Sequence, residues 1–183
     1  MDGVLGDLIP GICSLCSNLT GTTILPDEWV KYDQYLDLGI TNEIFLQGHI
    51  THRVLENIKI YSEVAEHIAH LRNIGYQVAV ITSRGFHPDC ETITKNTLDE
   101  HGIEIDHLII VGINESKTAA LNELQWLGGV MAYVDDYPAH LHDLYKETLG
   151  IKLFLMDRPW NKDEILFERV SNITEYLEHL NIL

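Results

Sequence analysis

The chain has 183 residues, of which 45% are hydrophobic, a length that allows one well-filled core with a small insertion but not two large independent domains. Its formal net charge is −16 at pH 7, with a sequence pI near 4.8. Such an acidic surface repels phosphate polymers and anionic membranes, so polymeric nucleic acid and membrane surfaces are excluded as expected partners. A small phosphorylated ligand remains compatible, because a bound divalent cation and a few cationic groups can invert the local field.

The sequence carries no apolar run of about 18 residues, and its N-terminus has no basic stretch followed by an apolar one. Its three cysteines are too few and too unevenly spaced for a disulfide framework. We therefore expect a cytoplasmic protein. Cys13 and Cys16 form a lone CxxC pair, which favours small buried thiols over a zinc site because zinc needs a second ligand pair.

From about residue 61 onward, helical and strand-like patterns alternate, which is typical of βαβ units and a parallel sheet. The predicted strands are the apolar runs at 77–82, 107–111, 130–134 and 151–156. A helix ending before Gly75 precedes them, and the remaining predicted helices cover 89–101, 116–126, 138–147 and 162–180. This pattern predicts an α/β fold with a three-layer, Rossmann-like parallel sheet.

Residues 13–60 have a different character. Aromatic residues and leucines lie there at helical spacing, with Pro26 and Gly39 as breaks and Thr41 before a helix start. We interpret this segment as a small helical cap inserted into the α/β domain. The predicted organisation is therefore a core of residues 1–12 and 61–183, with a cap at 13–60.

Polar residues follow two of the predicted strands, where ligands gather in an open parallel sheet. Thr82, Ser83 and Arg84 come directly after the 77–82 strand, and a hydroxyl with free backbone N–H groups at such a turn suits a phosphate. Asp135 and Asp136 follow the 130–134 strand, and paired carboxylates suit a hard cation such as Mg²⁺.

Lys117 opens the helix after the 107–111 strand and can reach the same ligand as a point charge. Each of these residues alone has a structural explanation, since Thr82, Asp135 and Asp136 could cap helices and Lys117 could be solvated. Their joint occurrence at strand ends, in this order, favours a functional site.

These residues resemble the four motifs of the haloacid dehalogenase superfamily, an Asp-x-Asp-Gly segment, a Thr or Ser, a Lys and an acidic pair. The matching segments are Met1-Asp2-Gly3-Val4-Leu5, Ile81-Thr82-Ser83-Arg84, Ser116-Lys117 and Val134-Asp135-Asp136. Two further features, a cap with Trp29 and Tyr32 and the late segment 156–161, are similar to the 5'(3')-deoxyribonucleotidase branch. That branch removes phosphate from nucleoside monophosphates with Mg²⁺.

The resemblance implies a mechanism in which one carboxylate attacks phosphorus and a second carboxylate, two residues on, protonates the leaving alkoxide. Asp2 matches the second carboxylate and would also offer its backbone carbonyl to the metal, beside Asp135 or Asp136. Thr82 and Lys117, with Ser83 and Arg84, would bind the phosphate. The implied substrate pocket uses the cap aromatics, for which packing inside the cap is the alternative role: Trp29, Tyr32 and Phe45.

The attacking carboxylate should stand two residues before Asp2, and the chain begins one residue before it. We favour the explanation that Met1 is an internal methionine of a longer natural chain. The alternative is a real short form that binds or regulates without phosphoryl transfer. The chain as written is expected to have no appreciable phosphatase activity, and its sheet is expected to lack a central strand.

The sequence thus predicts a Mg²⁺-dependent phosphomonoesterase for nucleoside monophosphates, with a small phosphorylated metabolite as its partner. The resemblance implies deoxynucleoside monophosphates in particular. Two alternatives remain open: a non-catalytic nucleotide- or phosphate-binding protein of the same fold, and a phosphatase for another small phosphoester such as a sugar phosphate. Base preference, 5' versus 3' specificity and the existence of a homodimer are not fixed by the sequence.

Overall fold

Seven short strands and eight α-helices make up the described part of the computed structural model, residues 1–113, 115–147 and 150–183. The strands are β1 Gly6–Asp7, β2 Lys59–Ile60, β3 Ala79–Thr82, β4 His107–Ile110, β5 Ala132–Asp135, β6 Lys152–Met156 and β7 Glu168–Val170. The helices are α1 Ile9–Thr20, α2 Gln34–Asp37, α3 Asn42–Thr51, α4 Val64–Asn73, α5 Cys90–Glu100, α6 Thr118–Leu127, α7 Pro138–Glu147 and α8 Ile173–His179. Single 3₁₀ turns lie at Pro26–Glu28 and Pro159–Asn161.

Five of the strands are parallel and form two blocks. In the first block β3 pairs with β4, with Ala79 opposite His107. In the second block β6 lies between β5 and β7, with Ala132 opposite Lys152 and Phe154 opposite Glu168. The predicted three-layer α/β architecture is confirmed.

Both faces of the strands are covered by helices, as an apolar parallel strand requires. Successive residues of β3 illustrate this, because Val80 belongs to a core with Val64 of α4 and Leu177 of α8, whereas Ile81 packs in a second core with Leu121 of α6. Side chains that alternate between two apolar layers produce the continuous hydrophobic runs seen in the sequence. No helix among the described residues is long and apolar enough to cross a membrane.

The cap is connected to the α/β domain through a short antiparallel ribbon. β1 pairs with β2, with Gly6 opposite Ile60, so that α1, α2 and α3 lie between the two strands in sequence. The predicted helix start after Thr41 is confirmed, since its side chain accepts a hydrogen bond from the Ile44 backbone N–H. The first cap helix begins at Ile9, four residues before the predicted cap boundary.

Cys13 and Cys16 are buried in the cap beside Trp29 and Ile40. Burial raises the pKa of both thiols to about 11, which leaves them protonated at neutral pH. Among the described residues, no group of three His, Cys, Asp or Glu side chains is arranged to hold a metal. The prediction of small buried thiols is confirmed by the burial of both cysteines.

The prediction of a single long helix over 162–180 is wrong. Glu168–Val170 instead forms β7, which pairs in parallel with Phe154–Met156 of β6, and α8 begins only at Ile173. The helix starts there because Asn172 caps it, its side-chain oxygen accepting a hydrogen bond from the Glu175 N–H at 2.9 Å. Strand pairing at the sheet edge therefore prevails over the helical spacing of the leucines.

Asn161 joins three segments at the carboxyl end of β6 and is 3% exposed. Its amide N–H groups donate to the carbonyl oxygens of Asp136 and Met156, both at 2.8 Å. Its side-chain oxygen accepts from the Arg158 backbone N–H at 3.1 Å and from Arg169 at 2.9 Å. All four hydrogen-bonding positions of the amide are therefore used.

We expect Asn161→Ala to lower the free energy of unfolding by about 2–3 kcal/mol, because it leaves buried carbonyl groups without donors. The matched control is Asn57→Ala, which removes an exposed amide that makes one hydrogen bond to the Arg53 carbonyl. This control should change stability by about 0.5 kcal/mol or less. Urea unfolding of both variants measures the difference, and equal effects would show that the Asn161 network contributes little.

Candidate active site

A cavity of ≈ 380 Å³ lies at the carboxyl ends of β3 and β5, between the α/β domain and the cap. Every residue predicted from the sequence to take part in the site lines it: Asp2, Trp29, Tyr32, Phe45, Thr82, Ser83, Arg84, Lys117, Asp135 and Asp136. The topology explains this convergence, because the carboxyl ends of parallel strands lie at the same edge of the sheet.

Asp2 is held by Arg84, the second residue after the end of β3. Arg84 donates to both carboxylate oxygens of Asp2, with Nε 3.0 Å from Oδ2, and its Nη1 donates to Thr94 at 3.1 Å. Burial alone would raise the pKa of Asp2, but the Arg84 guanidinium outweighs it and lowers this pKa to about 2. Arg84 is 1% exposed, and its guanidinium is hydrogen-bonded to Asp2 and Thr94.

Asp135 is the last residue of β5 and is 2% exposed. Its carboxylate accepts hydrogen bonds from Lys117 Nζ at 2.8 Å, from the Tyr133 hydroxyl at 2.5 Å and from the Tyr137 backbone N–H at 3.0 Å. Burial would raise the pKa of Asp135, but the charge of Lys117 holds it well below its usual range. The predicted lysine and the first predicted aspartate therefore form a buried ion pair.

Asp136 has a different environment from its neighbour. The Trp160 indole Nε1 donates to its Oδ2 at 3.1 Å, and its Oδ1 accepts no hydrogen bond from the described residues. Burial, together with the nearby negative charge of Asp135, raises the pKa of Asp136 to about 7. Of the three aspartates, Asp136 is the one that forms no ion pair within the described residues.

Gly3 makes the close approach of Asp136 possible. Its φ is +70°, and a Cβ built there would lie 2.4 Å from Asp136 Oδ2. Only glycine combines this backbone conformation with the available space. The segment that carries Asp2 can therefore lie directly against the acidic pair.

The predicted magnesium ligands fit a cation that takes some of its ligands from the protein and the others from water or substrate. Asp2 is paired with Arg84 and Asp135 with Lys117, which leaves Asp136 as the carboxylate best able to gain from a cation. Mg²⁺ is commonly bound by one or two carboxylates, several waters and a substrate phosphate, so a closed set of three protein ligands is not required. Of the two adjacent aspartates, the structure thus favours Asp136.

The phosphate side of the cavity contains Thr82, Ser83 and Lys117. Thr82 and Lys117 are 1% and 7% exposed, and the Thr82 hydroxyl lies 3.4 Å from Asp2 Oδ2. The Ser83 hydroxyl is buried with no hydrogen-bond partner among the described residues. A buried hydroxyl without a partner at a ligand cavity is a group that a bound anion could satisfy.

The cap side of the cavity is aromatic. Tyr32 stacks on Tyr137 at 4.0 Å between ring centroids, and Phe45 stacks on Tyr35 at 3.8 Å. Trp29 lines the cavity and is 2% exposed, so it packs inside the cap core, and its part in a substrate pocket stays a prediction.

His49 was not anticipated from the sequence. Its Nδ1 lies 2.9 Å from the Phe45 carbonyl oxygen, an acceptor, so Nδ1 must carry a proton. Burial lowers the pKa of His49, which favours the neutral ring and leaves Nε2 as an acceptor at the cavity. Its sequence signal is weak, because a single histidine on an amphipathic helix is usually structural. Other lining residues missed from the sequence are Tyr35, Phe86, Tyr137, His140 and Trp160.

We expect Asp2→Asn to destabilise the protein by about 2 kcal/mol at pH 7, because the folded-state pKa of about 2 lies below the ordinary value of 3.8. A lowered pKa stabilises the fold above pH 3.8, and this contribution is lost as pH falls towards 2. The difference between parent and variant should therefore shrink between pH 4 and pH 2. Urea unfolding across this range measures it.

Asp33→Asn is the matched control, since it removes the same charge from an exposed side chain. It should leave stability within about 0.5 kcal/mol of the parent at all these pH values. A constant difference between Asp2→Asn and the parent down to pH 2 would contradict the assignment to the ion pair.

Comparison with known proteins gives structural matches only. No family model matches the chain, and no curated protein does. Among solved structures, protein tyrosine kinase A of Mycobacterium tuberculosis matches with a TM-score of 0.68 and 18% identity, covering 98% of this chain and 94% of that one. A hydrolase from Streptococcus pneumoniae TIGR4 matches with a TM-score of 0.62 and 13% identity, covering 99% and 95%.

A third structure, described as a dehalogenase, matches with a TM-score of 0.56 and 15% identity, over 97% of this chain and 93% of that one. Identities this low establish the fold and leave the activity open. The chain therefore has the haloacid dehalogenase-like fold, with the candidate site residues at the carboxyl edge of the sheet.

Proposed function

We propose that this chain carries the site of a Mg²⁺-dependent phosphomonoesterase that acts on small phosphoesters, with nucleoside monophosphates as the preferred class. The observation that supports this most strongly is the convergence of Thr82, Ser83, Lys117 and Asp136 in one cavity beneath an aromatic cap. Hydroxyl and ammonium donors suit phosphate oxygens, and a carboxylate with a raised pKa suits the cation that accompanies them.

The proposed chemistry is a two-step transfer. A carboxylate attacks phosphorus to form an acyl phosphate while the ester P–O bond breaks, and the leaving alkoxide takes a proton from a carboxylic acid, the role assigned to Asp2. The Asp2 carboxylate so formed then takes a proton from water, which cleaves the acyl phosphate to release inorganic phosphate and restore the attacking carboxylate. Mg²⁺, when bound at Asp136, would offset the repulsion between carboxylate and phosphate dianion. Lys117 and Thr82 would hold the transferring oxygens.

The cavity supports a nucleoside as the leaving group. Its cap side is lined by the rings of Tyr35 and Phe45, which stack on each other, together with the acceptor Nε2 of neutral His49. Flat aromatic surface and a hydrogen-bond acceptor are features that recognise a base or a sugar hydroxyl. A sugar phosphate uses the same phosphate side and remains the alternative substrate.

A second function, binding without turnover, is favoured by the engagement of the site carboxylates. Asp2 is paired with Arg84, Asp135 with Lys117, and Asp136 accepts from Trp160. Asp2 in this state is ionised and has no proton for a leaving alkoxide. Of these three carboxylates, only Asp136 keeps an oxygen, Oδ1, that accepts no hydrogen bond from the described residues.

We expect no Mg²⁺-dependent phosphate release by the 183-residue chain with a panel of nucleoside monophosphates and sugar phosphates. A form with an apolar strand ending in aspartate placed directly before Met1 should release phosphate, because it supplies the attacking carboxylate. The matched control ends the same strand in asparagine and should be inactive. Turnover by the 183-residue chain would refute the mechanism, and inactivity of all three forms with measurable nucleotide binding would favour the binding function.

We expect Mg²⁺ to raise the Tm of the parent by several degrees at concentrations well above its Kd, because a ligand that binds only the folded state stabilises it. Asp136→Asn should lose this effect. Asp163→Asn, which removes one charge from an exposed side chain, should keep it. Thermal unfolding with and without Mg²⁺ measures both, and an unchanged Mg²⁺ effect in Asp136→Asn would exclude Asp136 as a ligand.

A further inference from the structure

The two oxygens of the Asp136 carboxylate have unequal surroundings. Oδ2 accepts a hydrogen bond from the Trp160 indole Nε1 at 3.1 Å. The same oxygen lies against Gly3, where an added Cβ would come within 2.4 Å of it. Oδ1 accepts no hydrogen bond from the described residues and stays open to the site cavity. One oxygen of this carboxylate is therefore occupied, and the other is available to a ligand.

The backbone of Asp136 is held by the same turn that holds its side chain. Asn161, which follows Trp160 directly, donates from its amide to the Asp136 carbonyl oxygen at 2.8 Å. The Asn161 side-chain oxygen in turn accepts from the Arg158 backbone N–H at 3.1 Å. The turn is thus closed by its own hydrogen bonds, and the direction from which the indole meets Asp136 is fixed.

The Trp160 ring is also held from the cap side. It packs against the cap core that contains Cys16, Trp29 and Ile40. It lines both the site cavity and a neighbouring cavity of ≈ 550 Å³. Because close packing on one side and a short turn on the other restrict the ring, its N–H donor cannot easily turn away from Asp136. Hydrogen bonds of this kind orient the carboxylates that bind cations.

A carboxylate with one available oxygen suits Mg²⁺ better than Ca²⁺. Mg²⁺ requires nearly octahedral geometry, keeps several waters and takes few protein oxygens. Ca²⁺ takes more oxygens at longer distances and often binds both oxygens of one carboxylate. The two other aspartates of the site do not make up the difference, because Asp2 is paired with Arg84 and Asp135 with Lys117.

We propose that Trp160 is a positioning residue that makes Asp136 a one-oxygen ligand and thereby favours Mg²⁺ over Ca²⁺ at this site. This inference rests on the cation site of the proposed function but not on phosphoryl transfer. Without the indole N–H, the carboxylate is free to turn and to present both oxygens to one cation. Loss of the donor therefore changes the choice of cation as well as the affinity.

The first test is calorimetric titration of the 183-residue chain with MgCl₂ and with CaCl₂, in the absence of any phosphoester. Trp160→Phe keeps an aromatic ring beside the cap and removes the N–H donor. It should weaken Mg²⁺ binding about tenfold and lower the ratio of the Ca²⁺ Kd to the Mg²⁺ Kd by about the same factor. The matched control is Ile40→Ala, which loosens the same cap core but lines neither cavity. It should lower stability and leave the ratio of the two Kd values unchanged.

The second test follows the indole N–H resonance of Trp160 in the parent by NMR, assigned by its absence from the Trp160→Phe spectrum. This resonance should move as Mg²⁺ is added, whereas that of Trp126, whose side chain is 91% exposed, should not. The second test also decides the question if Trp160→Phe does not fold, in which case Trp126→Phe supplies the assignment by elimination with Trp29→Phe.

An unchanged cation preference in folded Trp160→Phe would overturn the proposal, as would a Trp160 resonance that stays in place while the parent binds Mg²⁺. An equal change of preference in Ile40→Ala would assign the effect to cap packing and would overturn it too. If the parent binds neither cation, Asp136 is not a cation ligand and the inference is wrong. Phosphate release is measured separately, so a parent that binds Mg²⁺ with the expected preference but shows no turnover contradicts only the proposed activity.

Discussion

Two arginines fix the position of the N-terminal segment between the two strand blocks, and the geometry of the site depends on this. Arg84, which follows β3, binds the Asp2 carboxylate, and Arg158, which follows β6, donates from Nε to the Gly3 carbonyl oxygen at 2.7 Å. One arginine follows a strand of each block. Residues 2 and 3 therefore link the two blocks, which no strand pairing joins in the described chain. Bidentate and charge-assisted hydrogen bonds define both direction and distance, which a purely apolar contact would not.

The charges of the cavity follow from this arrangement. Three carboxylates, Asp2, Asp135 and Asp136, converge on two strong cations, Arg84 and Lys117. The two pairs formed with cations have lowered carboxylate pKa values, and the third carboxylate has a raised one. A small site of this kind can attract a divalent ion on a protein whose overall charge of −16 repels phosphate polymers.

The sequence predicted the strands and site positions that depend on local pattern. β3 to β6 are buried on both faces, so they appear as apolar runs, and polar residues at their ends were expected at the site. β7 could not be recognised in the same way, because three residues with Glu168 and Arg169 give no apolar run and its pairing with β6 is a tertiary contact. Nearby, Asn172 with Glu175 three residues later is a capping signal for the start of α8.

The sequence identified which residues belong to the site better than it identified which of them pair with each other. Arg84 was expected to bind phosphate, but the structure pairs it with a residue 82 positions away, and Lys117 with one 18 positions away. His49 reaches the cavity from the cap helix α3, and Tyr137, which follows the acidic pair, stacks there on Tyr32 of the cap. Composition and spacing describe which groups are present, whereas charge pairing is decided by distances that only the folded chain defines.

The contact between Gly3 and Asp136 has a consequence for how this sequence can vary. Gly21 and Gly39 also have positive φ, yet nothing lies within 4 Å of a Cβ built at either, so only backbone conformation opposes their replacement. At Gly3 the same conformation coincides with a carboxylate oxygen 2.4 Å from that Cβ. Position 3 is therefore the least substitutable of these three glycines, and divergence there would require the acidic residue opposite to shift as well.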